Sequence, residues 1–319
     1  MSTRRLHWML ALTLLASLAL PLLLSDYNLR VMVMALLSAI AVIGLAVAFG
    51  WAGLIQLGQA AFIGLGAYIS AILALRLGWS FWITMPVALV GAALAALLIA
   101  GPMLRLRGHY LALATVGLNV SAEIVAKNWI DVTGGYDGIS GIPPIKVFGH
   151  AVEGDTQWYY LSLAFLLAVA GLTTLLRQSR YGRAMIAVRD DEIASGTSSV
   201  AVVRTKVLAF VIASVLAALS GALYAHYAKY ISPQDFDLAR SVAILVMLIA
   251  GGEMSIVGSI IGAVVLSFLP EWLRFAGDAY LAVFGGGVLA LLILLPDGVA
   301  GRFNKWVRRR RRELAAGRA

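Results

Sequence analysis

The chain contains no cysteine, which excludes disulfides, thiolate metal ligands and cysteine nucleophiles. Charge is scarce as well. Of the 319 residues 13% are charged and 61% hydrophobic, against about 25% and about 45–50% in an ordinary soluble domain. A soluble protein of this size is ruled out. The chain has no G-x-x-x-x-G-K-[ST] phosphate loop, and indeed no Gly-Lys dipeptide, so it lacks that means of holding a nucleotide. Its four histidines, His7, His109, His150 and His226, are scattered and form no H-E-x-x-H pair, which argues against a catalytic metal or hydrolytic centre.

What is present is a series of long apolar runs. A transmembrane helix needs about 20 mostly apolar residues, and the sequence predicts spans at 8–25, 31–49, 54–75, 81–103, 110–127, 158–176 and 207–228, a broken pair at 241–251 and 256–270, and a last span at 280–296. The fold class is therefore an all-α polytopic membrane helix bundle of 8–10 transmembrane segments, some of them broken or re-entrant. Arg4 and Arg5 precede the apolar segment from Trp8 to Leu24, the layout of a signal peptide or of a first span. The small-residue site Ser17-Leu18-Ala19 lies inside that apolar run, so the segment is read as a retained helix.

With ten crossings both termini share one side. That side then holds Arg4, Arg5, Arg105, Arg107, the basic residues between Arg177 and Lys206, and the tail, which is most of the Lys and Arg of the chain. Positive residues are retained in cytoplasmic loops, so both termini are expected in the cytoplasm. The net charge of +9 suggests nucleic acid until it is located: residues 302–319 carry eight Lys or Arg and one Glu. A basic run such as Arg308–Arg312 directly after a last span is expected to anchor on anionic lipid, and no aromatic interleaving supports nucleic-acid binding. The expected layout is a membrane domain over 1–301, with a loop at 128–157 outside and a segment at 177–206 inside, followed by the basic tail 302–319.

Four features carry functional readings. Glu123 lies well inside a predicted span, where a carboxylate is expensive and marks either a pathway or a partner; Lys127, one turn later, can pair with it. Gly50 to Tyr68 holds Gln56 and Gln59 among glycines at 50, 53, 58, 64 and 66. These fit either close helix packing with buried amides or a broken helix whose freed backbone lines a polar passage. Gly251 and Gly252 in the broken pair, and the run Gly285-Gly286-Gly287, admit the same two readings. Finally, in the string from Arg180 to Ser195, Tyr181, Met185 and Val188 form one apolar helical face, while Arg183, Arg189, Asp190, Asp191 and Glu192 are charged. A short amphipathic helix of this kind can lie on the lipid, cap the bundle or dock into a partner's groove; the three consecutive acids argue against an anionic lipid surface, and docking to a soluble partner is favoured over capping.

Several strings together resemble the LivM-type permease subunits of high-affinity branched-chain amino-acid ABC importers. They are Gly50 to Tyr68, Arg105 to Thr115, Thr133-Gly-Gly-Tyr-Asp-Gly138, Arg180-Tyr-Gly-Arg183 through Asp190-Asp-Glu192, Lys206 to Val211, Ser220 to Tyr224, and Gly251-Gly252 through Ala263. They run in order from about 31 to 297. The resemblance implies a permease in the bacterial cytoplasmic membrane, not itself an enzyme. It pairs with a second homologous permease, receives substrate from a periplasmic binding protein, and is driven by two ATP-binding subunits that carry the ATP and Mg; this chain itself needs no cofactor. Residues 181–195 resemble the family's coupling helix, which implies that Gly182, Arg183, Asp190, Asp191 and Glu192 contact an ATPase subunit. Gln56, Gln59, Glu123, Gly251 and Gly252 are the candidates for the translocation pathway. The chain departs from its relatives at Ser195 to Val203, where they continue with a small-residue stretch toward Gly-Ile-Asn-like residues; the coupling register beyond Ala194 is affected. Related permeases carry urea or short amides, which is the alternative cargo, and an ion-coupled secondary carrier is the alternative mechanism.

Overall fold

The structure is a computed structural model that describes residues 20–22, 24–106, 108–198, 200–273 and 285–286. Most of the predicted first span at 8–25, most of the last span at 280–296 including Gly287, and the basic tail 302–319 lie outside the described residues.

Among the described residues, six helices are long and apolar enough to cross a membrane. The first, α1 (Asp26–Leu45), is capped by Ser25, whose side chain accepts from the Asn28 N–H at 3.5 Å, and it runs on into a π-helical turn over Ala46–Trp51. It is apolar on all sides, and such a helix is buried on all sides; from Ala35 to Leu45 every residue is buried. The chain is then irregular over 53–58 before α2 (Gln59–Leu77). The span predicted at 54–75 thus begins as irregular chain, and the helix sets in only at Gln59. Next come α3 (Phe81–Met103) and α4 (His109–Asn128), which bury only narrow stripes and present much of their apolar surface outward.

The segment after α4 holds a short helix α5 (Ile130–Thr133) and three two-residue strands, β1 (Ile139–Ser140), β2 (Lys146–Val147) and β3 (His150–Ala151). β2 and β3 pair antiparallel across Phe148 and Gly149, both at positive φ, as a tight two-residue hairpin requires. α6 (Asp155–Gln178) leads into α7 (Arg180–Asp190) and α8 (Glu192–Thr197), and α9 (Val202–Ala228) returns to β4 (Tyr230–Ile231), which pairs antiparallel with β1. A 3-10 turn at Pro233–Phe236 precedes α10 (Leu238–Gly251), which is followed by α11 (Ile256–Trp272). At about 1.5 Å per residue α10 is about 21 Å long, short of a hydrocarbon core of about 30 Å. Gly251 lies against Gly258 and Gly262, and Gly262 against Met247, so the two helices form an antiparallel hairpin at the position of the predicted broken pair.

α1, α2 and α9 form the centre, with α3, α6, α10 and α11 packed around them. The α2–α9 contact rests on small residues: a Cβ at Gly66 would overlap the Ala218 backbone, and one at Gly221 would overlap the Ile63 carbonyl. Close approach of this kind holds helices together where lipid supplies no hydrophobic drive between them. Gly221→Leu is therefore expected to destabilise the protein by at least about 1–3 kcal/mol, as overpacking does. Gly117→Ala in α4, where the added methyl meets open space, should leave the thermal midpoint in detergent unchanged or raise it.

Candidate functional site

The break between α1 and α2 sits deep in the bundle. Gln59 Nε2 donates to the Ala41 carbonyl at 3.1 Å and to the Ala213 carbonyl at 3.2 Å. At about 1.5 Å per residue these carbonyls lie about 15 Å from Trp51 and about 16 Å from Val202, half-way through an apolar layer of about 30 Å. Backbone N–H groups freed at that depth need partners, and neighbouring helices supply them. The Leu57 N–H donates to Thr115 Oγ1 at 2.9 Å, the Ala60 N–H to Ser241 Oγ at 2.9 Å, and the Ala61 N–H to Asn119 Oδ1 at 2.8 Å. Ser241 Oγ also donates to Asn119 Oδ1 at 3.1 Å, and Asn119 Nδ2 to the Phe236 carbonyl at 3.4 Å. Thr115, Asn119 and Ser241 are fully buried. Sequence reasoning missed all three. A signal existed in α4, where Thr115, Asn119, Glu123 and Lys127 recur every fourth residue and so share one face.

Gln56 lies within the irregular stretch. It is 1% exposed, and neither amide atom has a hydrogen-bond partner. Gln59, by contrast, ties α2 to α1 and α9, with its Oε1 unpartnered. Glu123 is bound by Lys127 at 2.5 Å, as their spacing suggests, and lines a cavity of about 270 Å³ between α2 and α4. Gly251 serves the α10–α11 contact, while Gly252, at φ 110°, makes the turn between them. These five candidates for the pathway do not converge on one cluster. A further buried polar group, unforeseen from sequence, links Thr84, Ser70 and His226 and reaches the Pro143 carbonyl through His226 Nδ1 at 2.8 Å.

At one end of the bundle α7 and α8 form a platform. Ser179 starts α7 by accepting from the Tyr181 and Gly182 N–H groups at 3.2 and 3.4 Å. Gly182 is buried on the last turn of α6, where a Cβ would meet Arg177 Cα at 2.6 Å. Met185 and Val188 are buried as their spacing predicts. Tyr181, assigned to the same face, is instead 47% exposed and stacked under Arg180, whose guanidinium lies 4.9 Å from the ring centre. The next residue, Gly182, takes the packed position, and neighbouring residues on a helix point about 100° apart.

The acids have separate tasks. Asp191 caps α8, accepting from the Ile193 and Ala194 N–H groups at 2.9 Å each. Glu192 pairs with Lys206 of α9 at 2.7 Å. Asp190 and Arg183 are exposed, and Arg183 donates to the Gln178 carbonyl at 2.6 Å. A further link from the platform into the bundle runs through Arg189. It donates to the Gly50 carbonyl and to Met254 Sδ, and it forms an ion pair with Glu253. Gly50 itself abuts the Glu253 backbone. Arg189 therefore joins α7 to the end of α1, just before the break, and to the α10–α11 turn. Among the described residues no group of His, Asp and Glu is arranged to hold a metal ion.

The family described as the permease component of the branched-chain amino acid transport system matches residues 27–295. The chain belongs to this family. The match includes the break, the platform and the α10–α11 hairpin. This permease is 32% identical, over 93% of its length and 76% of theirs, to the high-affinity branched-chain amino acid transport system permease proteins LivM of Salmonella typhimurium and of Escherichia coli. It is also 25% identical to the permease protein LivH of Salmonella typhimurium, over 83% of this chain and 91% of that protein. No solved structure matches it significantly. The permease is a multi-pass inner-membrane transport subunit and not an enzyme.

Proposed function

We propose that this permease is the LivM-type half of an ATP-driven importer for branched-chain amino acids, working by alternating access beside a second, LivH-like permease. The relatives are named as permease proteins of high-affinity branched-chain amino acid transport systems, which favours branched-chain cargo over urea or short amides. A periplasmic binding protein delivers the substrate, and two ATP-binding subunits, which hold the ATP and Mg, sit beneath the α7–α8 platform. The platform end is cytoplasmic, both termini lie on that side, and the strand-bearing loop between α4 and α6 is periplasmic. The distribution of charge supports this orientation: Arg177, Arg180, Arg183, Arg189, Arg204 and Lys206 gather around the platform.

The observation that carries the reading is the triple attachment of Arg189. A force applied to α7 from below reaches the end of α1 and the α10–α11 turn through one side chain. Of the proposed coupling residues, Arg183 and Asp190 are exposed, which supports their contact with an ATPase subunit. Gly182, Asp191 and Glu192 give the platform its shape, and Gln56 is the strongest of the pathway candidates. An ion-coupled carrier is disfavoured because the carboxylate Glu123 is already matched by Lys127.

Purification of the tagged chain from its native membrane tests the assembly. It should bring a second permease and an ATPase, and Asp190→Lys should weaken retention of the ATPase while the second permease stays bound. Recovery of the chain alone, with uptake driven by an ion gradient, would contradict the proposal.

A further inference from the structure

The β2–β3 hairpin ends in a side chain that the fold does not use. Phe148 is fully exposed, and its φ of 50° is a left-handed conformation that a bulky residue rarely adopts. Two-residue turns with both positions at positive φ favour Asn, Asp or Gly there. The rest of the hairpin is firmly seated. Ile145 and Val152 at its feet are buried, the Val152 N–H donates to the Ile145 carbonyl at 2.8 Å, and His150 Nδ1 lies 3.2 Å from the Phe148 carbonyl. A ring held outward on a fixed turn finds its contacts outside the chain.

The turn sits at the level of a membrane surface. Trp82 Nε1–H donates to the Lys146 carbonyl at 2.8 Å, and Trp82 is the second residue of α3. At about 1.5 Å per residue α3 is about 34 Å long, just enough to cross a hydrocarbon core of about 30 Å. Trp82 therefore lies at one boundary of that core, where tryptophan is enriched. Two strand residues at about 3.3 Å each keep the Phe148 backbone within about 7 Å of Lys146. This is the end away from the platform, because α6 starts at Asp155, just after the hairpin, and ends at Gln178 beside α7.

What α3 faces decides the partner. The helix has no charged residue, and its buried face is a stripe of Ala88, Ala92, Ala96 and Ala100, the small residues that close helix packing uses. Outward it presents Ile83, Val90, Leu94 and Leu98. Large apolar side chains facing out from an uncharged spanning helix suit lipid, and the exposed Trp82 continues that face up to the hairpin. Lys146 at the foot of the turn is exposed; such a side chain lays its stem along apolar surface and keeps its ammonium among polar groups.

We propose that the β2–β3 hairpin is a lipid anchor, with Phe148 entering the boundary between headgroups and acyl chains in the leaflet away from the platform. The anchor holds down a loop whose Pro143 carbonyl meets His226 Nδ1 of α9 at 2.8 Å. That this leaflet is the periplasmic one rests on the orientation proposed above; insertion of the ring does not.

The absence of cysteine makes the test direct. The full chain, with the subunits that purify with it, is placed in phospholipid nanodiscs and carries a nitroxide at Phe148→Cys; the same complex without that cysteine supplies the background. Collisions of the nitroxide with oxygen, which concentrates in lipid, should exceed those with a water-soluble nickel chelate severalfold. A second nitroxide at His150→Cys keeps the ring in place, and adding Phe148→Asp should raise its access to the nickel chelate severalfold. Preference for the nickel chelate at position 148 puts the tip in water, and low access to both reagents puts it against a protein partner. Either result overturns the proposal, as does an unchanged nitroxide at position 150 in the Phe148→Asp variant. A complex that imports no branched-chain amino acid removes the functional reading and leaves the collision result standing; normal import with the tip in water removes the anchor alone.

Discussion

Arg189→Ala is expected to lower ATP-driven leucine uptake by about tenfold or more, with the complex still assembled. The variant removes the ion pair to Glu253 and the donors to Gly50 and Met254 at once. Hydrogen bonds to charged groups contribute about 1.5–3 kcal/mol each, and each 1.4 kcal/mol is about a factor of ten. The pair is partly exposed, at 26% and 34% of the two side chains, so solvent screening lowers its share and the effect on folding should be modest. The effect on coupling should be large, because no other side chain of α7 makes a hydrogen bond or ion pair to both the end of α1 and the α10–α11 turn among the described residues. Arg189→Glu should be worse, since it faces Glu253, and Arg189→Glu combined with Glu253→Arg should recover part of the loss. ATP hydrolysis separates the two roles: a lost linkage leaves hydrolysis running without transport, whereas a lost platform abolishes both. Normal uptake by Arg189→Ala would show that motion enters the bundle elsewhere.

Asn119→Leu is expected to be among the most destabilising single changes in the permease. One side chain accepts from the Ala61 N–H and the Ser241 hydroxyl and donates to the Phe236 carbonyl, all inside the bundle. Leucine matches its size and leaves these groups without partners. A buried unsatisfied donor or acceptor costs about 1–3 kcal/mol, so a loss of about 3 kcal/mol or more is expected. Thr115→Val strands chiefly the Leu57 N–H and should cost about a third as much. Thermal unfolding of the detergent-solubilised complex reads both. Equal midpoints for Asn119→Leu and the unsubstituted protein would mean that water, rather than Asn119, satisfies the start of α2.

These two residues also mark what sequence does and does not disclose. Spans are legible because a membrane demands a fixed length of apolar residues, and α3, α4, α6 and α9 fall where their runs predict. Glycine density marks both the break at 53–58 and the α10–α11 turn, because irregular backbone and close helix approach call for it. The partners of the break are not legible. Asn119 and Ser241 are far apart in sequence, and only the folded bundle brings them to the start of α2. The platform is legible in part: Met185 and Val188 follow helical spacing, but Tyr181 is turned out by the packing of Gly182. Arg189 reads as one more charge on a solvated face until Gly50 and Glu253 arrive beside it. The β1–β4 pairing, two residues on each side, has no periodicity from which to be read.

The most direct test of the account is leucine uptake into proteoliposomes containing this permease together with its second permease, ATPase subunits and binding protein. Accumulation that requires ATP and the binding protein, and that persists when proton and sodium gradients are collapsed, is the predicted result. Accumulation driven by an ion gradient without ATP, or by this chain alone, would contradict it.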